Sequence, residues 1–233
     1  MEFEGPGRCM PRGEGPWYRA SPQHKRTMMA PAEPKVAPAT ADCHLQGMDA
    51  SALEYRAIQA FHGQRRAQRS GVPYMHHIDE GLWVLRALCA SDLAQRAYCL
   101  HPLVQDDDDR AAAWARALAT GADLSMPPVD GVSDDPRVLA LALAYRETAN
   151  AALSHRPDLK GPEDIALSTE PEVNDMLRAD KVQNYKDFII HHRGTHPRSA
   201  ELERYFQAWL TRLDVSPAQV RHWHEALEHL HST

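Results

Sequence analysis

Leu177-Arg178-Ala179-Asp180-Lys181-Val182-Gln183-Asn184-Tyr185-Lys186-Asp187-Phe188 is the stretch whose pattern decides the fold. With Val173 ahead of it, Leu177, Asp180, Asn184 and Phe188 recur at steps of three or four. They therefore share one helix face, apolar at both ends and polar at its centre. Such a face points into a core, where an ionised carboxylate is costly unless something pairs with it. Asn184 offers an amide one turn on, while Lys181 lies off the stripe. Asp180 thus calls for a cation from elsewhere in the chain, and the plain structural answer is an arginine or lysine on another helix.

Outward from this stretch the helical period repeats. Leu53, Ala57, Ile58 and Phe61 form a first stripe that stops near His62-Gly63. A loop carrying Arg65, Arg66 and Arg69 leads through Ser70-Gly71-Val72-Pro73 to a second helix with Ile78, Leu82, Leu85 and Leu88 inside. Ser91 caps a third helix, with Leu93, Ala97, Leu100 and Leu103, and Asp106 to Asp109 read as the acidic first turn of a fourth. Ser133-Asp-Asp-Pro136 opens a long helix with proline in its first turn, and Ser168 with Pro171 opens the helix that carries Asp180 to about His192. Two more follow, Ser199 to Leu213 and Ser216-Pro217 to His231. No period-two run or hairpin signal of useful length occurs, so the fold class is all-α.

The 233 residues, 43% apolar and 25% charged, suit one globular domain with an appendage. Residues 1 to about 47 hold seven prolines and five glycines without a period, the composition of a disordered tail. The patterned domain runs from Met48 to the end. A net charge of −6 argues against sequence-independent nucleic-acid binding. Cys9, Cys43, Cys89 and Cys99 form no CxxC pair, so the spacing suggests neither a disulfide framework nor a zinc ribbon, and a reducing compartment is the default. With no apolar run of membrane-spanning length and no secretory signal, the expected location is cytoplasmic.

Two histidine-bearing stretches bear on Asp180. Tyr74-Met-His-His77 opens the second helix and Cys99-Leu-His101 lies near the end of the third. Two imidazoles and one carboxylate from separate helices suit a divalent transition metal such as Mn, Fe or Zn, which would supply the missing cation and make hydroxide at neutral pH. The last helix carries His222, His224, His229 and His231, but those on one face are seven residues apart, too far to chelate one ion, so they read as exposed polar residues.

Four stretches in order, Gly63-Gln-Arg-Arg66, Gly71-Val-Pro-Tyr-Met-His-His77, Leu100-His101 with Asp106, and Arg178-Ala-Asp-Lys-Val-Gln-Asn184, resemble the hydrolase motifs of the HD superfamily. The likeness is greatest to the RelA/SpoT-type alarmone hydrolases in their small stand-alone form, and it covers roughly residues 50 to 190. It implies an HD-domain-like helical bundle and a metal-dependent phosphohydrolase acting on a phosphorylated nucleotide. It further implies His77, His101 and Asp180 as metal ligands, with Mn2+ the first choice and Fe or Zn the others. Asp106 resembles the carboxylate that positions the attacking water. Arg66 and Asn184 are similar to nucleotide-holding residues, with Arg65 and Lys181 as phosphate contacts.

This chain also departs from that pattern. Pro102 stands where the family has the Asp of its His-Asp doublet, Gln105 where it has a Glu before the second carboxylate, and Ile78 where it has a proline. Proline has no donor atom and an amide cannot act as a base. His62, His76 or Asp106 are the candidates to replace the lost ligand. The alternative expectation is a catalytically impaired nucleotide-binding or regulatory module of the same fold.

Overall fold

A computed structural model describes residues 52–68, 70–104, 132–156 and 159–231. Among these residues lie seven α-helices and no strand, in agreement with the all-α expectation. An isolated bridge pairs Arg66 with Pro73 across the loop between the first and second helices. The expected fourth helix from Asp106 and the proline-rich tail lie outside the described residues.

Local signals set most helix ends. Helix α1 (Leu53–His62) stops at Gly63, whose φ of +54° suits a residue without a Cβ. Helix α2 (Tyr74–Ala87) starts directly after Pro73. Helix α3 (Asp92–Val104) is capped by Ser91, whose Oγ accepts from the Ala94 N–H at 3.2 Å. Helix α4 (Pro136–Ala151) has Pro136 in its first turn and the Asp135 carboxylate accepting from Arg137 N–H at 2.8 Å. After a 3₁₀ turn at Pro162–Asp164 come α5 (Pro171–His191), α6 (Ser199–Arg212) and α7 (Pro217–Leu230). A capping box between Ser216 and Gln219 starts α7.

Helix α5 is the hub. It packs against α2, α3, α4, α6 and α7, while α1 lies on α3 and α2. Surrounded in this way, α5 buries more than the one stripe its sequence suggests: Lys181, Gln183 and Lys186 are inside along with Val173, Leu177, Asp180 and Phe188. The core is continuous around it, with Trp209, Tyr98 and Tyr145 among its largest fully buried side chains. No helix among the described residues is long and apolar enough to cross a membrane. Cys99 is buried with its thiol outside any disulfide, and Cys89 lies in a left-handed turn just after α2.

Candidate metal centre

The packing of α2, α3 and α5 brings the three expected donors together. His77 comes from the first turn of α2, His101 from the last turn of α3 and Asp180 from the middle of α5. His77 Nε2 lies 3.0 Å from His101 Nε2, and the two nitrogens are 3.6 and 3.9 Å from Asp180 Oδ1. Donors about 2.1 Å from one cation at octahedral to tetrahedral angles would stand about 3.0 to 3.4 Å apart, so the set fits with little adjustment. His101 and Asp180 are 1% exposed, while His77 is only part-buried and reaches a cleft of about 300 Å³. That cleft is also lined by Pro102, Gln183 and Asn184 from the helices and by Ala67, Val72 and Pro73 of the α1–α2 loop.

The two oxygens of Asp180 have different partners. Oδ1 faces the imidazoles and accepts a 2.8 Å hydrogen bond from Asn184 Nδ2. Oδ2 has Lys181 Nζ at 2.8 Å, an ion pair lying off the direction of a good hydrogen bond. The cation that Asp180 requires therefore comes from its own sequence neighbour, which is 4% exposed and sits over the rings of Trp209 (5.2 Å) and Tyr205 (5.7 Å). Burial pushes the Asp180 carboxyl up, but Lys181 and then the two imidazoles outweigh it and hold the group at about 2. Burial in turn, with His77 adding to it, lowers His101 to about 3, so this imidazole is neutral at physiological pH.

The tautomer of His101 follows from its neighbour. Its Nδ1 is 2.6 Å from the Tyr98 carbonyl, which can only accept, so Nδ1 carries the hydrogen and Nε2 presents a bare lone pair to His77 and Asp180. Such a second contact is how a metal-binding histidine is usually aimed. A buried lone pair converging with a carboxylate oxygen is the observation by which this donor set fits a divalent cation.

The other expected residues are placed less uniformly. Asn184 lines the cleft. Lys181 does not: its ammonium is turned into the core, away from any phosphate position in the cleft. Arg66 Nη1 donates to the Gly71 carbonyl at 2.9 Å, and the Arg65 guanidinium rests over Tyr74 (5.1 Å) and Phe61 (5.4 Å), so both brace the loop rather than line the cleft. Gln105 and Asp106 lie outside the described residues. His62 lines the cleft and stacks on Tyr74, and burial followed by His77 lowers it to about 4. It does not belong to the group of donors within 4.8 Å of one another.

A second group, His76, Glu80 and His231, also brings donors within 4.8 Å, so His231 is not simply an exposed polar residue. The Lys186 ammonium already contacts Glu80 Oε1, and the two imidazoles lie ring on ring at 3.6 Å, near parallel at 6°. Parallel rings aim their lone pairs side by side rather than at one point, so this group packs α7 onto α2. The residue that sequence reading missed is Gln183, whose Oε1 is 2.6 Å from His77 Nδ1. Its one signal was its position three residues, and so nearly a turn, beyond Asp180. Against family models, curated proteins and solved structures, the chain gives no match.

Proposed function

We propose that the chain is a metal-dependent phosphohydrolase of HD type, acting on a phosphorylated, alarmone-like nucleotide. The observation that carries the reading is the convergence of His77 Nε2, His101 Nε2 and Asp180 Oδ1 at the floor of a cleft. A divalent cation held by these three, Mn2+ first and Fe or Zn otherwise, would acidify water at neutral pH and polarise a phosphoryl oxygen. The chain's own residues do the rest. Asn184 fixes the Asp180 carboxylate through Oδ1 and Lys181 fixes it through Oδ2, so the ligand oxygen is held before anything binds. The α1–α2 loop forms one wall of the cleft, and Arg65 and Arg66 would meet phosphate by leaving their present contacts.

Pro102 favours a second reading, a nucleotide-binding or regulatory module without turnover. It lines the same cleft and offers no donor atom, leaving three ligands where a fourth would strengthen the site. Calorimetric titration of Mn2+ into chelator-treated protein tests the metal, with Asp180→Ala and the part-exposed His77→Ala as controls, the latter chosen to spare the core. One-to-one binding lost in both variants supports the site, and a hydrolysis screen of phosphorylated nucleotides then separates the two readings. Binding no tighter than in the variants would sink the hydrolase.

A further inference from the structure

We infer that Gln183 is a positioning residue that sets the tautomer of His77, leaving its Nε2 bare toward His101 and Asp180. The inference deepens the metal-site reading above and rests on it for its purpose, though not for its geometry.

Gln183 is fully buried and its side chain is committed on every side. Its Nε2 is 2.9 Å from Asp187 Oδ2 and 3.1 Å from Glu80 Oε2. Carboxylates accept and do not donate, so the two amide hydrogens go one to each. With the amide reversed, its oxygen would face two carboxylate oxygens, a repulsive arrangement, so the chemistry of the neighbours fixes which end is which. Lys186 holds those neighbours in place: its ammonium contacts Glu80 Oε1 and lies 3.4 Å from Asp187 Oδ1.

The atom left to face His77 is the amide oxygen, at 2.6 Å from Nδ1. An oxygen without hydrogen requires a hydrogen on that nitrogen, and a neutral imidazole has only one N–H. In the neutral ring, His77 Nε2 is therefore a lone pair. His101 Nε2 is another, because Tyr98 O occupies its Nδ1–H. Two lone pairs at 3.0 Å repel, whereas a His77 Nε2–H would have made a satisfied hydrogen bond to His101. Gln183 thus rules out the arrangement that would make this a closed histidine pair and holds it open for a cation. The ring and Glu80 are on α2 while Gln183, Lys186 and Asp187 are on α5, so the network also locks the two helices that carry the donors.

The test uses the full chain with ¹⁵N-labelled histidine, chelator-treated, with long-range ¹H–¹⁵N spectra at about pH 9, where a histidine of ordinary pKa is neutral. His77 should be the Nδ1–H tautomer. Gln183→Met keeps the length and removes both hydrogen-bonding groups. It should shift His77 toward the Nε2–H form and weaken Mn2+ binding in calorimetry by about 10–100-fold, the usual cost of losing a partner behind a ligand. A His77 Nε2–H in the wild type, or a folded variant with tautomer and affinity unchanged, overturns the inference. If the variant does not fold, the wild-type tautomer decides alone. A wild type with Nδ1–H that binds no Mn2+ removes the metal reading and upholds the tautomer assignment, so the two failures are distinguishable.

Discussion

Gly81 has no room for a side chain. It lies one turn beyond His77 on α2, and a Cβ there would overlap the hydroxyl and ring of Tyr98, which is fully buried and hydrogen-bonded through its hydroxyl to the His77 carbonyl at 3.3 Å. Gly81→Ala should therefore destabilise by about 1–3 kcal/mol in urea unfolding, although alanine is the better helix former. Tyr98→Phe should not rescue it, because the ring carbons clash as well as the hydroxyl, whereas Tyr98→Leu in the double variant should; rescue by Phe would count against the packing argument. At this scale the three donors and the Asn184 amide beside Asp180 were legible in the sequence, and their other partners were not. His77, His101 and Asp180 stood out as polar residues beside apolar helical ones. Lys181 was misjudged because helical angle places its Cα off the stripe, whereas its long stem curls back to Asp180 under Tyr205 and Trp209. Gln183 carries no charge to advertise itself, and its role exists only once Glu80, 103 positions away, is folded against it.

Helix α3 turns a defect into an alignment. Pro102 has no N–H to give the carbonyl of Tyr98, four residues back, and that carbonyl instead receives the His101 ring at 2.6 Å. The proline that offers the cleft no donor atom thus also clears the acceptor that orients the His101 ring. Pro102→Asp would supply both a carboxylate on the cleft wall and a backbone N–H to Tyr98 O, whose two lone pairs can serve both donors. We expect Mn2+ affinity at least about tenfold above wild type, in line with an added charged ligand. Pro102→Ala, which restores the N–H alone, should show no such gain, and an Asp variant no better than Ala would argue that the cleft is not a metal site short of a ligand. Helix starts were read well wherever a cap residue or a first-turn proline marked them, as at Ser91 and Ser216 or at Pro136 and Pro171. Leu88 was assigned to the second stripe by period alone, but the helix ends one residue before it, where no cap residue signals the stop. The all-round burial of α5 was not legible, since how many neighbours a helix acquires depends on packing and not on its own period.

Across the whole molecule, α1, α3 and the segment that leads into α4 are tied together by Glu54. This residue of α1 is 1% exposed and accepts from Arg96 of α3, at 2.7 and 3.1 Å, and from Ser133 Oγ at 2.5 Å, just before α4. Arg96 extends the tie to Asp134 at 2.5 Å. Three segments that touch the core from different directions are so joined by one carboxylate, and its protonation bears on all of them. Burial alone would raise the Glu54 pKa, but the hydrogen bonds from Arg96 and Ser133 prevail and lower it from the ordinary glutamate value. A carboxyl lowered on folding contributes its stability in full above its unfolded value, about 4.3, and loses it as pH falls through the lower folded value. Unfolding free energy measured in urea from pH 7 downward should therefore begin to drop below about pH 5, and Glu54→Gln, which cannot titrate, should reduce that slope. Arg96→Met at neutral pH should cost about 3 kcal/mol, because it strands a buried charge, and the double variant Arg96→Met with Glu54→Gln should be more stable than Arg96→Met alone. Simple additivity of the two substitutions would mean that the pair stands side by side without coupling the segments, and the clamp would have to be abandoned.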